Sequence, residues 1–294
     1  MKWWVRFTSW LASQISRASL RKLGRPLGYL WFDILRLRRS VVLDNLNRAF
    51  PDWSEEKKIN VGRRSVMVLV ENFFELFLIP RLNRDWIHQN VIIHGESELK
   101  EALQDNKGVL LLSLHLGNGD FLGNIIQLLG YQLYIITKFF RTQWMNHLWF
   151  SIRGSQGVQF IEPHGEKTPF AILKALKKNS LVAFVLDQHM GKPYGVRTTF
   201  FGHKVGTAFG MALFYLKTKS PVVLSYSFEN AEGKIEVVFE RIKEVETYLD
   251  SKPEDREKNL VLITQVFTDK IEQVVRKYPD QWMWVHRRWK WKGP

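Results

Sequence analysis

The residues best suited to chemistry are His115 and Asp120, which lie five positions apart in the run His-Leu-Gly-Asn-Gly-Asp. We predict that an apolar strand, Gly108–His115, ends at the histidine and that a helix begins near Asp120. On one helix five positions would set the side chains about 140° apart, whereas a strand-to-helix turn can bring them together. Asp120 could then accept a hydrogen bond from one ring nitrogen of His115, and the other nitrogen could take a proton from a substrate. Such a turn, here containing Asn118, is where α/β folds place ligands.

A structural interpretation of the same run stays open, in which His115 ends a core strand and Asp120 is an ordinary acid at a helix start. Other chemistries are disfavoured. The sequence has no cysteine, which excludes thiolate catalysis and Cys-ligated metal sites. Ser113 is not in a Gly-x-Ser-x-Gly elbow, so direct attack is favoured over an acyl-enzyme. Neither a metal nor a cofactor is predicted, because ligand spacing is missing at His164, His189, His203 and His286.

The elements around this run alternate between β-rich apolar segments and amphipathic helices. Strands are predicted at Gly108–His115, Gln132–Phe139, Val158–Ile161, Ser180–Leu186, Pro221–Phe228 and Lys234–Phe239. Helices are predicted at Asp120–Leu129, Thr142–Ser155, Pro169–Lys178 (capped by Thr168), Thr207–Lys217 and Glu254–Lys277. The alternation predicts an α/β fold with a central mixed sheet flanked by helices.

The N-terminal part is predicted to be helical. We expect Gly24–Pro26 and Gly28 to break its first helix, and a later helix to begin after Ser54 as N-cap and to stop at Pro80. We divide the chain into a basic, Trp-rich helical region at 1–50 and a single α/β catalytic domain at 51–294, and we expect the two to pack together.

Charge and tryptophan concentrate at the two ends. The chain carries a formal charge of +14, and residues 1–50 and 276–294 hold almost all of the excess. The same ends hold the tryptophans Trp3, Trp4, Trp10, Trp31, Trp282, Trp284, Trp289 and Trp291. Tryptophan favours the bilayer interface and Lys/Arg favour anionic headgroups, so an anionic membrane surface is the predicted partner.

Helical spacing near the N-terminus favours a membrane over the two other interpretations, a solvated basic face and a nucleic-acid binder. We predict an interfacial helix anchored by Trp3, Trp4, Phe7, Trp10 and Leu11. Arg6 cuts the apolar run short, which argues against a cleaved signal peptide. No apolar stretch reaches the roughly 18 residues of a membrane span, so a monotopic or peripheral protein that does not bind nucleic acid is expected.

Four blocks, in order, resemble the lipid A biosynthesis acyltransferases, within the glycerolipid acyltransferase superfamily with its His-x4-Asp/Glu motif. The first is Arg38-Arg39 with Asn45-Leu46 and Ala49-Phe50-Pro51, and the second is His115 to Asp120. The third is Asp187-Gln188 with Phe200-Phe201-Gly202 and Thr207, and the fourth is Gln281-Trp-Met-Trp-Val-His-Arg-Arg288. The Glu-Gly-Thr-Arg block of glycerol-phosphate acyltransferases is absent, which argues against glycerol 3-phosphate as acceptor.

The resemblance implies transfer of a fatty acyl chain from acyl carrier protein, or from acyl-CoA, to a hydroxyl of a lipid A precursor at the cytoplasmic face of the inner membrane. It implies His115 as general base and Asp120 as its orienting partner. Arg153 would bind a phosphate or the oxyanion. Asn118, Asp187 and Gln188 would contact substrate. Two alternatives stay open: an acceptor that is another glycolipid or aminolipid, and a noncatalytic protein that binds lipid surfaces.

Overall fold

The central feature of the fold is a seven-stranded mixed sheet with the strand order β1-β9-β8-β2-β5-β3-β4, and β6 and β7 form a separate hairpin. The computed structural model describes residues 3–248 and 255–290, without the side chains of residues 5, 6, 12 and 13. In the sheet, β8 and β9 are antiparallel and the other pairs are parallel. The strands are β1 (Val91–His94), β2 (Val109–Ser113), β3 (Leu133–Ile136), β4 (Gln159–Ile161), β5 (Leu181–Val185), β6 (Gly195–Phe200), β7 (His203–Ala208), β8 (Val222–Glu229) and β9 (Ile235–Arg241).

Helices cover both faces of the sheet, and each face has its own buried apolar cluster. They are α1 (Trp3–Ser13), α2 (Arg17–Tyr29), α3 (Arg39–Ala49), α4 (Glu55–Glu75), α5 (Arg84–Asn90), α6 (Glu96–Gln104), α7 (Gly119–Leu128), α8 (Gln143–Arg153), α9 (Thr168–Lys177), α10 (Gly210–Thr218) and α11 (Arg256–Lys277). Strand β2 is buried along its whole length between β5 and β8, which is the environment that its continuous run of Val and Leu predicts. The α/β class with a mixed sheet is therefore confirmed. In the described parts of the chain, no helix combines the length and the hydrophobicity needed to cross a bilayer.

The six predicted strands are all present, but sequence patterns missed β1 and the β6–β7 hairpin. Thr207 was predicted to begin a helix, whereas it lies in β7, where its hydroxyl hydrogen-bonds that of Thr198 across the hairpin at 2.7 Å. Ser54 does cap α4, accepting a hydrogen bond from the backbone N–H of Lys57 at 3.2 Å. Thr168 is the first residue of α9 and not its cap.

The predicted helix break at Gly24–Pro26 and Gly28 is wrong. The chain breaks before Ser16, which caps α2, and α2 then runs through both glycines and Pro26. The glycines serve a close approach instead, because a Cβ at Gly28 would lie 2.7 Å from the Cα of Met67 in α4. Helix α2 therefore packs directly along α4, as the expected packing of the N-terminal helices on the α/β domain requires.

The predicted membrane-facing role is also wrong for two of the C-terminal tryptophans. Trp282 and Trp284 are fully buried, and so is Arg288. The indole N–H groups find partners inside the protein: Trp284 donates to the Pro279 carbonyl at 2.6 Å. Tryptophan–arginine composition suits an internal polar network as well as a membrane interface. Three residues of the basic, tryptophan-rich ends lie outside the described residues: Lys2, Trp291 and Lys292.

Candidate active site

His115 lies just beyond the carboxyl end of β2, and Asp187 lies just beyond the carboxyl end of β5. The parallel register pairs Ser113 with Val185, so the histidine and the aspartate, each two residues further on, meet at one edge of the sheet. His115 Nδ1 is 2.7 Å from Asp187 Oδ1. The backbone N–H of His115 donates to Asp187 Oδ2 at 2.8 Å. The Trp282 indole donates to the same oxygen at 2.7 Å, so three donors hold the buried carboxylate.

This arrangement fixes the state of the imidazole. A carboxylate accepts hydrogen bonds only, so the ring proton lies on Nδ1 and Nε2 is left as an acceptor. Burial opposes a charge on His115, but the charge of Asp187 and the hydrogen bond to it raise the pKa of His115 above its ordinary value. Burial opposes ionisation of Asp187 too, yet the charge of His115 and the donated hydrogen bonds lower the pKa of Asp187 to about 2. The pair can thus accept a proton at Nε2 and stabilise the resulting cation.

Asp120 is not the acceptor that the sequence predicted for the His115 ring. Its carboxylate forms an ion pair with Nε of Arg153, at the end of α8. Asn124 strengthens this junction, because its amide donates to the Asp120 carbonyl at 2.8 Å and to the Arg153 carbonyl at 2.9 Å. Asp120 lies in the first turn of α7, and its carboxylate is directed toward Arg153 of α8. The ring of His115 is hydrogen-bonded instead by Asp187, which follows β5. Asp120 still acts on the ring through its charge, which raises the pKa of His115, whereas Arg153 lowers it.

Asn118, predicted to contact substrate, is buried and has structural partners. Its Oδ1 accepts the backbone N–H of Phe121 at 3.0 Å and so caps α7. Its amide donates to Oε2 of Glu75 at 2.7 Å. The side chain therefore holds the turn between His115 and Asp120 in place. Asn118 also borders the cavity described below.

Gln188, also predicted to contact substrate, lies beside the imidazole. Its amide nitrogen is 3.4 Å from Nε2 of His115, and it lines the same cavity. Its backbone carbonyl accepts a hydrogen bond from the buried Arg288 at 2.8 Å, and Arg288 also donates to Thr207 Oγ1 at 2.7 Å. The third and fourth sequence blocks thus meet directly behind the histidine.

A cavity of about 1030 Å³ opens beside His115. His115 is 39% exposed into this space, and Asp120, Arg153 and Lys138 also line it. The rest of the lining is mainly apolar. Leu111 and Ser113 of β2 line the cavity together with His115, so it runs beside the end of this strand. The apolar wall includes Leu111, Ala183, Leu133, Ile135, Leu122, Ile126, Phe73 and Trp149.

The dimensions and lining of this cavity fit an extended hydrocarbon chain whose reacting end lies at His115. Among the described residues, no group of three or more His, Asp or Glu side chains is arranged to hold a metal ion. What the sequence missed is the partnership of His115 with Asp187 and Trp282. The signals were an aspartate directly after a buried strand and a tryptophan-rich block near the C-terminus. Neither signal says which strands are neighbours.

The comparisons with known proteins agree with one another. Residues 1–291 match the family model described as bacterial lipid A biosynthesis acyltransferase. A lipid A biosynthesis palmitoleoyltransferase of Escherichia coli (strain K12) is 24% identical over 99% of this chain and 91% of its own length. A lipid A biosynthesis acyltransferase of Shigella flexneri shows the same identity and coverage. A lipid A biosynthesis lauroyltransferase of Escherichia coli (strain K12) is 23% identical over 96% of this chain and 88% of its own length. Because the family match spans almost the whole sequence, this chain belongs to the bacterial lipid A biosynthesis acyltransferases.

Proposed function

We propose that this protein transfers a fatty acyl chain from an acyl thioester to a hydroxyl of a lipid A precursor. One observation carries the proposal: the imidazole held by Asp187 lines the apolar cavity, in a member of this acyltransferase family. The acyl chain lies along β2 in the cavity, which places the thioester carbonyl next to His115. The acceptor hydroxyl approaches from the open side.

The reaction proceeds by direct attack. Nε2 of His115 takes the proton of the acceptor hydroxyl as its oxygen bonds to the thioester carbonyl carbon. The carbon–sulfur bond of the tetrahedral intermediate then breaks, and the imidazolium returns its proton to the leaving thiolate. Asp187 stabilises the imidazolium throughout and does not itself take the proton. This role replaces the predicted contact of Asp187 with substrate, because its carboxylate is buried.

Arg153 and Asp120 are the cavity residues best placed to meet the polar part of a substrate. Arg153 is a cation within the cavity lining, and its guanidinium lies 5.2 Å from the ring centre of Phe160. We assign it to the oxyanion or to a phosphate of the acceptor, with Asp120 holding it in position. Gln188 is the polar neighbour of Nε2.

The donor is acyl carrier protein in this proposal, with acyl-CoA as the alternative. Carrier proteins are acidic, and the chain has a formal charge of +14, which favours their encounter electrostatically.

The enzyme works at the cytoplasmic surface of the inner membrane, bound by the exposed apolar side chains of its N-terminal helices. Trp3 is 78% exposed, and Phe7, Trp10 and Leu11 are exposed beside it. Trp4 packs partly against the core, so it is not a full member of the anchor. Other large apolar side chains are also exposed: Leu23, Leu27, Tyr29, Ile34, Leu35, Leu37, Phe73, Phe140 and Trp144. Because Leu27, Phe73 and Phe140 also line the cavity, an acyl chain can pass between bilayer and cavity along apolar contacts.

The first test is His115→Ala. We expect it to lower acyl transfer by about 10²–10⁴-fold, because the base is lost. A strain lacking the gene, complemented with wild type, should gain lipid A with one additional acyl chain by mass spectrometry, whereas His115→Ala should not restore it. His203→Ala, at an exposed histidine on β7, is the matched control and should restore it. Restoration by His115→Ala would mean that His115 is not the base, and no added chain with wild type would contradict acyl transfer to lipid A.

The second test separates Asp187 from Asp120. Neutral His115 is the base, so kcat/KM falls as pH drops through its pKa. Asp187 raises that pKa, so Asp187→Asn should move the acidic limb to lower pH. It should also reduce the maximal rate by about 10²-fold or more, because the ring loses the acceptor that selects its tautomer. Asp120→Asn leaves that acceptor intact and should lose less of the maximal rate. An acidic limb that moves with Asp120→Asn and stays in place with Asp187→Asn would restore Asp120 as the orienting partner.

The third test concerns the membrane. A variant with Trp3, Phe7 and Trp10 changed to serine should float less with vesicles that contain anionic phospholipid, since each aromatic contributes roughly 1.5–3 kcal/mol when fully buried. Phe170→Ser is the control, because Phe170 is an exposed aromatic on α9, which covers the other face of the sheet. Equal flotation of both variants would place the anchor elsewhere. Point substitutions are preferable to truncation, because truncation at residue 23 would also remove Arg17 and Arg21 from their ion pairs.

A further inference from the structure

A buried ionic cluster joins α2 to α4. Its carboxylates are Glu71 and Glu75, whose side chains have no exposed area, and Glu229, at the end of β8. Arg21, itself buried, forms ion pairs with all three. Arg17 reaches Glu75 at 2.8 Å and Glu229 at 2.8 Å. Two buried carboxylates on adjacent turns of one helix repel each other and lose hydration. Arg64 of α4 also pairs with Glu71 at 2.8 Å, but the arginines that pair with Glu75 are Arg17 and Arg21 of α2.

Glu75 divides its two oxygens between this cluster and the active-site turn. Oε1 accepts a hydrogen bond from Arg21 at 3.4 Å and forms an ion pair with Arg17, and Oε2 accepts the amide of Asn118 at 2.7 Å. Asn118 caps α7 at the point where the chain turns from His115 toward Asp120. The carboxylate of Glu75 therefore contacts both the arginines of α2 and the side chain of Asn118, which holds the active-site turn.

The same helix holds the turn at a second point. The amide of Asn72, one turn before Glu75 on α4, donates to the carbonyl of Gly117. Gly117 has a φ of +52°, and a Cβ there would lie 2.4 Å from the Ser227 carbonyl oxygen, so the turn has little room to shift. Two side chains of α4 thus form hydrogen bonds with consecutive residues, Gly117 and Asn118, between His115 and Asp120.

We propose that Glu75 is a positioning residue, which transmits the placement of α2 through Asn118 to the turn that carries His115 and Asp120. The inference rests on the proposed acyl transfer at His115. Helix α2 bears exposed apolar residues on its outer side and Arg17 and Arg21 on its inner side, so the N-terminal helices serve catalysis as well as surface binding. Glu75 does not itself line the cavity, whereas Asn118 does, so we expect the loss of the Glu75–Asn118 bond to act on kcat through the turn.

The test is a charge-conserving exchange between residues 75 and 118. Asn118→Asp places a carboxylate against Glu75 and should lower kcat at least about tenfold, with the KM values for donor and acceptor within about threefold of wild type. Glu75→Gln leaves the arginines short of a charge and should also lower kcat. The double variant Glu75→Gln/Asn118→Asp keeps the total charge and reverses the hydrogen bond, because the Gln amide now donates to the Asp carboxylate. Aspartate remains a good helix cap, so kcat should recover to within about threefold of wild type.

A matched pair covers the case in which Asn118→Asp fails to fold. Asn118→Ser keeps a capping oxygen but loses the bond to Glu75, and it should lower kcat. Asn83→Ser makes the same change at the cap of α5, where Asn83 accepts from the backbone N–H of Trp86 at 2.8 Å, and it should not.

Three results would overturn the proposal. The double variant could be no more active than Asn118→Asp, or Asn118→Ser and Asn83→Ser could have the same kcat. The single variants at residues 75 and 118 could also have a lower melting temperature but the kcat of wild type. His115→Ala, assayed in the same preparations, separates this inference from the proposed function. If His115→Ala is inactive and the exchange has no effect, only the role of Glu75 fails. If His115→Ala is active, the proposed reaction fails whatever the exchange shows.

Discussion

The buried carboxylate of Asp187 is the constraint on which the site depends. A carboxylate with almost no exposure is unfavourable unless its lone pairs are satisfied, and three donors from two distant segments satisfy it. One donor is the ring of His115, one is the backbone of the same residue, and one is the indole of Trp282. The ends of β2 and β5 and the C-terminal segment must therefore assemble together before the imidazole acquires its tautomer and its raised pKa.

The C-terminal segment owes its burial to this assembly. Arg288 lies behind Asp187 and Gln188 with its guanidinium donating to the Gln188 carbonyl, the Gly206 carbonyl and the Thr207 hydroxyl. Burial lowers the pKa of Arg288 to about 10, although the nearby charge of Asp187 opposes this. A buried cation beside a buried carboxylate keeps the group electrostatically balanced. The hairpin formed by β6 and β7 is thereby tied to the active site, although it lies outside the main sheet.

Local sequence patterns were enough to predict the alternating strands and helices, the position of His115 at a strand end and the turn that follows it. They could not supply the partner of His115. Asp187 is 72 positions further along the chain, and its proximity follows from β2 and β5 being neighbours, which periodicity does not encode. The nearest carboxylate in sequence, Asp120, pairs with Arg153 instead.

Composition misled for particular residues at both ends of the chain, for one physical reason. Tryptophan and arginine suit a membrane interface because they combine apolar area with hydrogen-bond donors, and the same combination suits a polar network inside a protein. Trp282 and Arg288 are buried in such an internal polar network, and Arg17 and Arg21 form internal ion pairs. Gly24 and Gly28 were similarly ambiguous, since the lack of a side chain can end a helix or let two helices touch.

In the proposed reaction, Asp187 holds the proton of His115 on Nδ1 and leaves Nε2 open to the acceptor hydroxyl. Nitrogen NMR of the full-length protein with ¹⁵N-labelled histidine tests this directly, with the His115 signals assigned by their loss in His115→Gln. Above the pKa of His115, we expect a protonated Nδ1 and an unprotonated Nε2. Asp187→Asn should disturb this tautomer, and Asp120→Asn should preserve it. A proton on Nε2 in the wild-type protein would show that Asp187 does not select the tautomer of His115.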